Sequence, residues 1–193
     1  MTDTNDNLNI KITDPKQSTL VWMDLEMSGL DPEENTILEI ATLVTDFNLN
    51  VVAEGPLIAI HQTDELLDSM DEWNTNCHGE TGLTDRVKKS DLGMKDAEMI
   101  TLDFIKKHVN HNASPLCGNT IWQDRRFLIK YMPDLEDYFH YRNIDVSSIK
   151  EICTRWYPDL PMFEKEKDHS AMKDIRESVE ELKYYRSKIF ISE

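Results

Sequence analysis

The sequence has few cysteines, few glycines and no long hydrophobic run. Its three cysteines, Cys77, Cys117 and Cys153, include no CxxC pair, so neither a disulfide framework nor a zinc ribbon is expected. Six glycines leave little material for a phosphate-binding loop. No apolar stretch approaches the roughly 20 residues of a membrane span, and the N-terminus lacks the features of a signal peptide. We therefore expect a cytoplasmic protein with no membrane partner.

Basic residues are also scarce relative to acidic ones. The chain has 21 Lys and Arg against 37 Asp and Glu, which gives a formal net charge of −16. Nonspecific affinity for nucleic acid comes mainly from Lys and Arg contacts with phosphates, so this charge argues against binding to duplex nucleic acid. It leaves room for a small anionic substrate that metal ions hold in a cleft.

The order of the hydrophobic patterns predicts one α/β domain in this chain of 193 residues. Residues 1–18 are polar and are predicted to form a mobile tail, with a single domain over 19–193. Three β-like runs come first, and helical and extended segments alternate after them. The three runs are LVWMDLEM, ILEIATLVTDF and VVAEGPLIAI. Short strands are predicted in SPLCGNT and RNIDVSS. Helices are predicted within 64–90, over 94–109, over 121–131, from a cap at Ser147 or Ser148 through Trp156, and over 171–187.

Two carboxylates interrupt the first hydrophobic run. Alternation along a strand places Asp24 and Glu26 on one face with Leu20 and Trp22. An acid-x-acid pattern should arise by chance roughly seven times in a chain this acidic, so the pair is informative only because of its apolar context. A buried pair of like charges costs several kcal/mol per ion unless a cation compensates. The alternative is a strand end that protrudes into solvent.

Two further acidic residues occupy unusual helical positions. Asp124 falls on the inward face of its predicted helix, where Arg125 or Arg126 could instead pair with it. Asp174 lies at the edge of the apolar stripe of the last helix, with His169 near the start of that helix. A histidine at a helix start is more often a cap or a surface residue than a catalytic group.

Four carboxylates on separate elements match a two-metal site for phosphoryl chemistry. Mg²⁺ and Mn²⁺ prefer oxygen ligands, and two such ions would balance the four negative charges. A nearby histidine could accept the proton of an attacking water, because its side chain titrates near neutrality.

Longer motifs add a family resemblance over about Leu20 to Ile189. MDLEMSGLDP, LEIATLVTD, LCGNTIWQDRRFL and HSAMKDIRES resemble the histidine-containing branch of the DEDD exonuclease superfamily. MDEWN, KYMPDLEDYFHYRNIDVSS and AEGPLIAIHQ are similar to the members of that branch that degrade very short RNAs from the 3′ end. Trp122 departs from the small residue expected within its motif.

The resemblance implies an RNase H-like α/β fold, in which helices flank a mixed five-stranded sheet. It implies a single exonuclease domain over 19–193 that hydrolyses single-stranded oligoribonucleotides of about two to five units to 5′-mononucleotides. His169 would be the general base. The ligands of two Mg²⁺ or Mn²⁺ ions would be Asp24, Glu26, Asp124 and Asp174.

The same resemblance assigns residues to substrate binding and to a homodimer. Tyr141 would act in the active site across the dimer interface. Leu30 would wedge between bases, and Trp73 and His78 would line the pocket. The terminal phosphate would be capped by Thr120, Arg142 and Ser147. Without the resemblance, Leu30, Trp73 and Tyr141 could equally be core or dimer-contact residues.

Two other functions remain open from the sequence. A proofreading-type exonuclease acting on single-stranded DNA would use the same acidic site. A nucleotide-binding module without catalytic activity would not need the complete set of acids and His169.

Overall fold

The computed structural model describes residues 16, 18–165 and 170–190. Most of the predicted tail over 1–18 therefore lies outside the described residues, as does His169.

The centre of the fold is a mixed sheet of five strands in the order β3-β2-β1-β5-β6, with a further short strand, β4, paired to β2. β1 is antiparallel to β2 and parallel to β5, and β5 is parallel to β6. This confirms the predicted mixed five-stranded sheet, although the third predicted run divides into β3 and β4 around Gly55 and Pro56. The strands are β1 (Thr19–Met27), β2 (Ile37–Asp46), β3 (Val51–Glu54), β4 (Ile58–Ala59), β5 (Leu116–Gly118) and β6 (Asn143–Asp145).

Eight helices in the described ranges surround the sheet. Their positions agree with the predictions except for α6, which was not predicted. Pro133 begins α6 directly after α5 ends, as its ring geometry favours. The predicted cap of α7 at Ser147 or Ser148 is wrong, because the Asp145 carboxylate accepts the Ser147 amide at 2.9 Å. The helices are α1 (Asp64–Asp68), α2 (Glu72–Glu80), α3 (Leu83–Lys89), α4 (Met94–His108), α5 (Ile121–Tyr131), α6 (Pro133–Glu136), α7 (Val146–Trp156) and α8 (Ala171–Ile189).

The two faces of β1 belong to two separate hydrophobic clusters. Val21 and Met23 pack with residues of α4 and α5 on one face. Leu20 and Trp22 pack with residues of α7 and α8 on the other face, where the Trp22 indole donates a hydrogen bond to Thr45 at 3.0 Å. The predicted alternation is therefore confirmed, and it directs the side chains that follow Trp22 on its face towards α8. None of the helices in the described ranges is long and apolar enough to span a bilayer.

Candidate metal centre

Three carboxylates meet where the end of β1 approaches the first turn of α8. Asp24, Glu26 and Asp174 each place one oxygen within 4.8 Å of the others. Asp24 and Glu26 share a face because they are two residues apart on a strand, and α8 packs against that face. All three side chains are half-buried, so each is only partly open to solvent.

Asp124 approaches the same strand from α5. Its side chain is 5% exposed, and its Oδ1 accepts a hydrogen bond from the Leu25 amide at 2.9 Å. The alternative that an adjacent arginine neutralises Asp124 is wrong for the described residues. Arg125 instead pairs with Glu136 at 2.8 Å, and Arg126 donates to the Gln123 side chain at 2.9 Å. Asp124 thus adds a negative charge beside Asp24 without bringing a cation.

The raised pKa values of these acids indicate that a positive charge among them would be stabilised. Burial first, and then the neighbouring carboxylates, raise the pKa of Asp24 well above its usual value. Burial and then the charge of Asp174 raise the pKa of Glu26 to about 7. Burial also raises the pKa of Asp124, although the hydrogen bond from the Leu25 amide opposes that rise. Each acid would be ionised more readily if a cation lay among them.

The donor set fits hard divalent cations. Its donors are carboxylate oxygens, and oxygen ligands are those that Mg²⁺ and Mn²⁺ prefer. No described cysteine or histidine belongs to the closest group. Glu26 faces one further group, the Nδ1 atom of His78, at 3.9 Å.

His78 lies buried beside Glu26. Its side chain is 3% exposed, and its Nε2 lies 2.9 Å from the Met27 carbonyl oxygen. His169, the expected general base, lies in the segment 166–169, outside the described residues.

Leu30 and Trp73 lie on either side of one groove. Both side chains are 72% exposed, which is unusual for such large apolar groups. The groove is formed by the loop after β1 and by the start of α2. The side-chain amide of Gln123 donates to the Leu30 carbonyl, and the Tyr131 hydroxyl donates to the Asn35 carbonyl at 2.6 Å, so α5 holds this loop at both ends.

Thr120 and Ser147 lie beside each other just after the ends of β5 and β6, whereas Arg142 directly precedes β6. The Thr120 amide donates to Ser147 Oγ at 3.0 Å, and the two hydroxyl oxygens are 3.1 Å apart. Arg142 donates to the hydroxyl of Tyr141 at 3.2 Å, and the Tyr141 side chain is 73% exposed. The structure thus brings Thr120 and Ser147 together, and no contact of the described residues joins Arg142 to them.

Sequence reasoning missed two residues that shape the centre. Glu39 lies directly opposite Glu26 on β2, is 1% exposed and pairs with Arg86 at 2.9 Å. Asn119 connects Ser147 with α8 through its side-chain amide. The sequence offered one usable signal for Glu39, an acid inside the apolar run LEIATLV, but its partner depends on strand register.

Comparison with known proteins gives the family. A model of the RNase T exonuclease family matches residues 21–182. The oligoribonuclease of Haemophilus influenzae (strain PittGG) is 59% identical over 171 residues, which cover 88% of this chain and 94% of that protein. The chain belongs to the oligoribonuclease family. The oligoribonucleases of Escherichia coli K12 and Acinetobacter baylyi are 59% and 55% identical, over 88% and 91% of this chain and 94% and 97% of their own lengths.

Solved structures confirm the RNase H-like fold predicted for an oligoribonuclease. The zinc-bound form of E. coli exonuclease I in complex with single-stranded DNA superposes with a TM-score of 0.70 at 16% identity. Exonuclease I of Methylocaldum szegediense gives 0.66 at 14% identity. These matches cover 90% and 89% of this chain but 41% of each exonuclease, so the likeness concerns the shared domain fold.

Proposed function

We propose that this member of the oligoribonuclease family is a metal-dependent 3′-to-5′ exoribonuclease. It hydrolyses oligoribonucleotides of about two to five units to 5′-mononucleotides. The observation that carries the proposal is the meeting of Asp24, Glu26 and Asp174 within 4.8 Å, with Asp124 beside them. Such a group is unfavourable in the fold unless cations bind it.

The four carboxylates would hold two Mg²⁺ or Mn²⁺ ions. When bound, such a pair supplies Lewis-acid stabilisation of the attacking and leaving oxygens. The carboxylates orient this centre because β1, α5 and α8 fix their backbones. His169 would accept the proton of the attacking water, a role suited to a group that titrates near neutrality.

The rest of the cleft suits a short substrate. Leu30 and Trp73 offer exposed apolar surface against which bases can stack, each stacking contact contributing about 1–3 kcal/mol. His78 lies next to Glu26, with 3.9 Å between its Nδ1 and the nearer carboxylate oxygen. Since hydrolysis starts at the 3′ end, the end that Thr120, Arg142 and Ser147 would cap is the 5′ phosphate.

The high exposure of Tyr141 supports its proposed role in a homodimer. A side chain that is 73% exposed in one chain is free to reach the active site of a second copy. The net charge of −16 favours short single-stranded RNA over duplex nucleic acid, since a dinucleotide needs only local contacts. The single exonuclease domain over 19–193, the mobile tail over 1–18 and the cytoplasmic location stay predictions from the sequence.

The decisive experiment is incubation of a labelled diribonucleotide with the protein, with and without Mg²⁺. We expect conversion to 5′-mononucleotides only when the metal is present. A parallel reaction contains long single-stranded DNA. Faster degradation of that DNA would favour the proofreading-type exonuclease, and binding of the diribonucleotide without any product would favour a non-catalytic module.

A further inference from the structure

A continuous chain of hydrogen bonds joins α8 to the residues proposed to cap the 5′ phosphate. The Asn119 side-chain nitrogen donates to Ser178 Oγ at 2.7 Å and to Glu181 Oε2 at 3.2 Å, both on α8. The Asn119 side-chain oxygen accepts the hydroxyl of Ser147 at 3.1 Å. Ser147 in turn accepts the amide of Thr120 at 3.0 Å. Asn119 is therefore the link between these two parts of the molecule.

The α8 end of this chain fixes which way the Asn119 amide faces. Glu181 is 1% exposed and pairs with the Lys165 ammonium at 3.1 Å, so it is a carboxylate that can only accept hydrogen bonds. Ser178 donates its one hydroxyl proton to the Asp174 carbonyl at 2.8 Å and also accepts from Asn119. The nitrogen of Asn119 must face α8, and its oxygen must face the cap.

The cap end is fixed by the same reasoning. Ser147 gives its one hydroxyl proton to Asn119, so the amide and the hydroxyl of Thr120 both donate to the Ser147 oxygen. Thr120 has a backbone φ of 52°, in the left-handed region that a threonine seldom adopts. The Asp145 carboxylate accepts the Thr120 amide as well, at 3.0 Å. The unusual backbone of Thr120 is thus held by two acceptors, the Asp145 carboxylate and the Ser147 hydroxyl oxygen, and Asn119 keeps the second in place.

We propose that Asn119 is a positioning residue that orients Thr120 and Ser147 for the 5′ phosphate of the substrate, using Glu181 and Ser178 as its anchor. The inference rests on the proposed function and deepens it. Asn119 itself does not contact the phosphate. Because its anchor lies on the helix that carries Asp174, the spacing between the phosphate cap and the metal centre is set by the protein and not by the substrate.

The test compares two diribonucleotides that differ only in a 5′ phosphate or a 5′ hydroxyl. For Asn119→Ala we expect KM for the phosphorylated substrate to rise about tenfold, the value of one charge-assisted hydrogen bond, with kcat within about twofold. KM for the 5′-hydroxyl substrate should stay near the wild-type value. Thr45→Val is the matched control, because it removes the buried hydrogen bond to Trp22 and should alter stability without changing the KM ratio.

A paired substitution distinguishes positioning from a loss of packing. Asn119→Asp alone places a second carboxylate against Glu181, whereas Asn119→Asp with Glu181→Gln restores one donor and one acceptor between them. The double variant should recover most of the preference for the 5′-phosphorylated over the 5′-hydroxyl diribonucleotide that Asn119→Ala loses.

The outcomes separate the two proposals. No hydrolysis by the wild-type protein would overturn the proposed function itself. Hydrolysis of both substrates with equal KM would overturn the phosphate cap and this inference with it, and an unchanged KM ratio in Asn119→Ala would overturn the inference alone.

Discussion

The molecule buries two kinds of carboxylate, and their surroundings differ sharply. Glu39 and Glu98, each 1% exposed, have partners that match their charge: Arg86 for the first, Lys95 and two amides of α6 for the second. Asp24 and Glu26 are near each other and near Asp174, and no described Lys or Arg forms an ion pair with either. Buried charges are tolerated when they are paired, so the first kind is compensated within the fold, whereas the second favours protonation or a bound cation.

This contrast shows how a functional group of acids can be told from a structural one. The number of acidic residues and the burial of their side chains do not separate the two kinds. Glu39 is paired yet less exposed than Glu26, which lies directly opposite it on the neighbouring strand. The distinguishing observation is the partner of each carboxylate. Removing a charge should therefore stabilise the metal-free protein in one region and destabilise it in the other.

The largest effect is expected for Asp24→Asn. The substitution keeps the shape of the side chain but removes a proposed metal ligand, so we expect turnover of a diribonucleotide to fall more than about a hundredfold. The melting temperature without metal should rise, because repulsion among the acids is relieved. Asp64→Asn is the control, since Asp64 is an exposed acid paired with Lys88. Retained activity together with a lower melting temperature in Asp24→Asn would contradict the assignment.

The next effect is on the pH dependence of stability. The pKa of Glu26 is raised to about 7 in the folded protein from an ordinary value near 4.5, so the unfolded chain loses this proton at lower pH than the folded one. Stability from this group is full below pH 4.5 and is lost as pH rises through 7, a change of about 3 kcal/mol. Urea unfolding of the metal-free protein at pH 5.5 and pH 8 captures about 2 kcal/mol of this change, because part of it already occurs below pH 5.5. Saturating Mn²⁺ should reduce the difference. Equal stability at the two pH values would show that the acids are compensated within the chain.

Arg86→Ala tests the opposite region. It leaves the Glu39 carboxylate buried without its cation, and we expect a loss of about 2 kcal/mol in unfolding free energy, less than for a fully buried pair because Arg86 is partly exposed. The double variant Arg86→Ala with Glu39→Gln should recover part of this loss. A stabilising effect of Arg86→Ala, as expected for Asp24→Asn, would remove the distinction between the two kinds of acid.

Much of this arrangement could be predicted from local sequence patterns. Alternation in LVWMDLEM indicated that Asp24 and Glu26 share a face, and helical periodicity placed Asp124 inward. The pairing of Glu39 with Arg86 could not be predicted in this way, because it depends on strand register and on where α3 packs. Trp122 departed from its motif without consequence for Asp124, since it lies 53% exposed on α5 beneath Arg126.

The Asn119 hydrogen-bond network could not be predicted from the sequence for a similar reason. Its members come from the turn after β5, from α7 and from α8, and the sequence gives no measure of their distances. The predicted cap at Ser147 or Ser148 was wrong because the Asp145 carboxylate accepts the Ser147 amide, so the helix already begins at Val146. Local patterns identify which residues are inward, whereas partners across elements require the fold.

The smallest effect is expected for Lys95→Met. Glu98 already accepts the amides of Asp134 and Leu135 at 2.7 and 3.2 Å, and Lys95 is largely exposed. Removing the ammonium should change the unfolding free energy much less than Arg86→Ala does, because exposed ion pairs are screened by solvent. A loss as large as that of Arg86→Ala would show that the α6 amides do not compensate this acid.

Mn²⁺ binding tests the central claim most directly, namely that the acids of β1, α5 and α8 form a cation site. Free Mn²⁺ can be followed by electron paramagnetic resonance while it is added to the wild-type protein and to Asp24→Asn. We predict saturable binding to the wild-type protein that is strongly weakened in the variant. Equal binding by the two proteins would contradict the account.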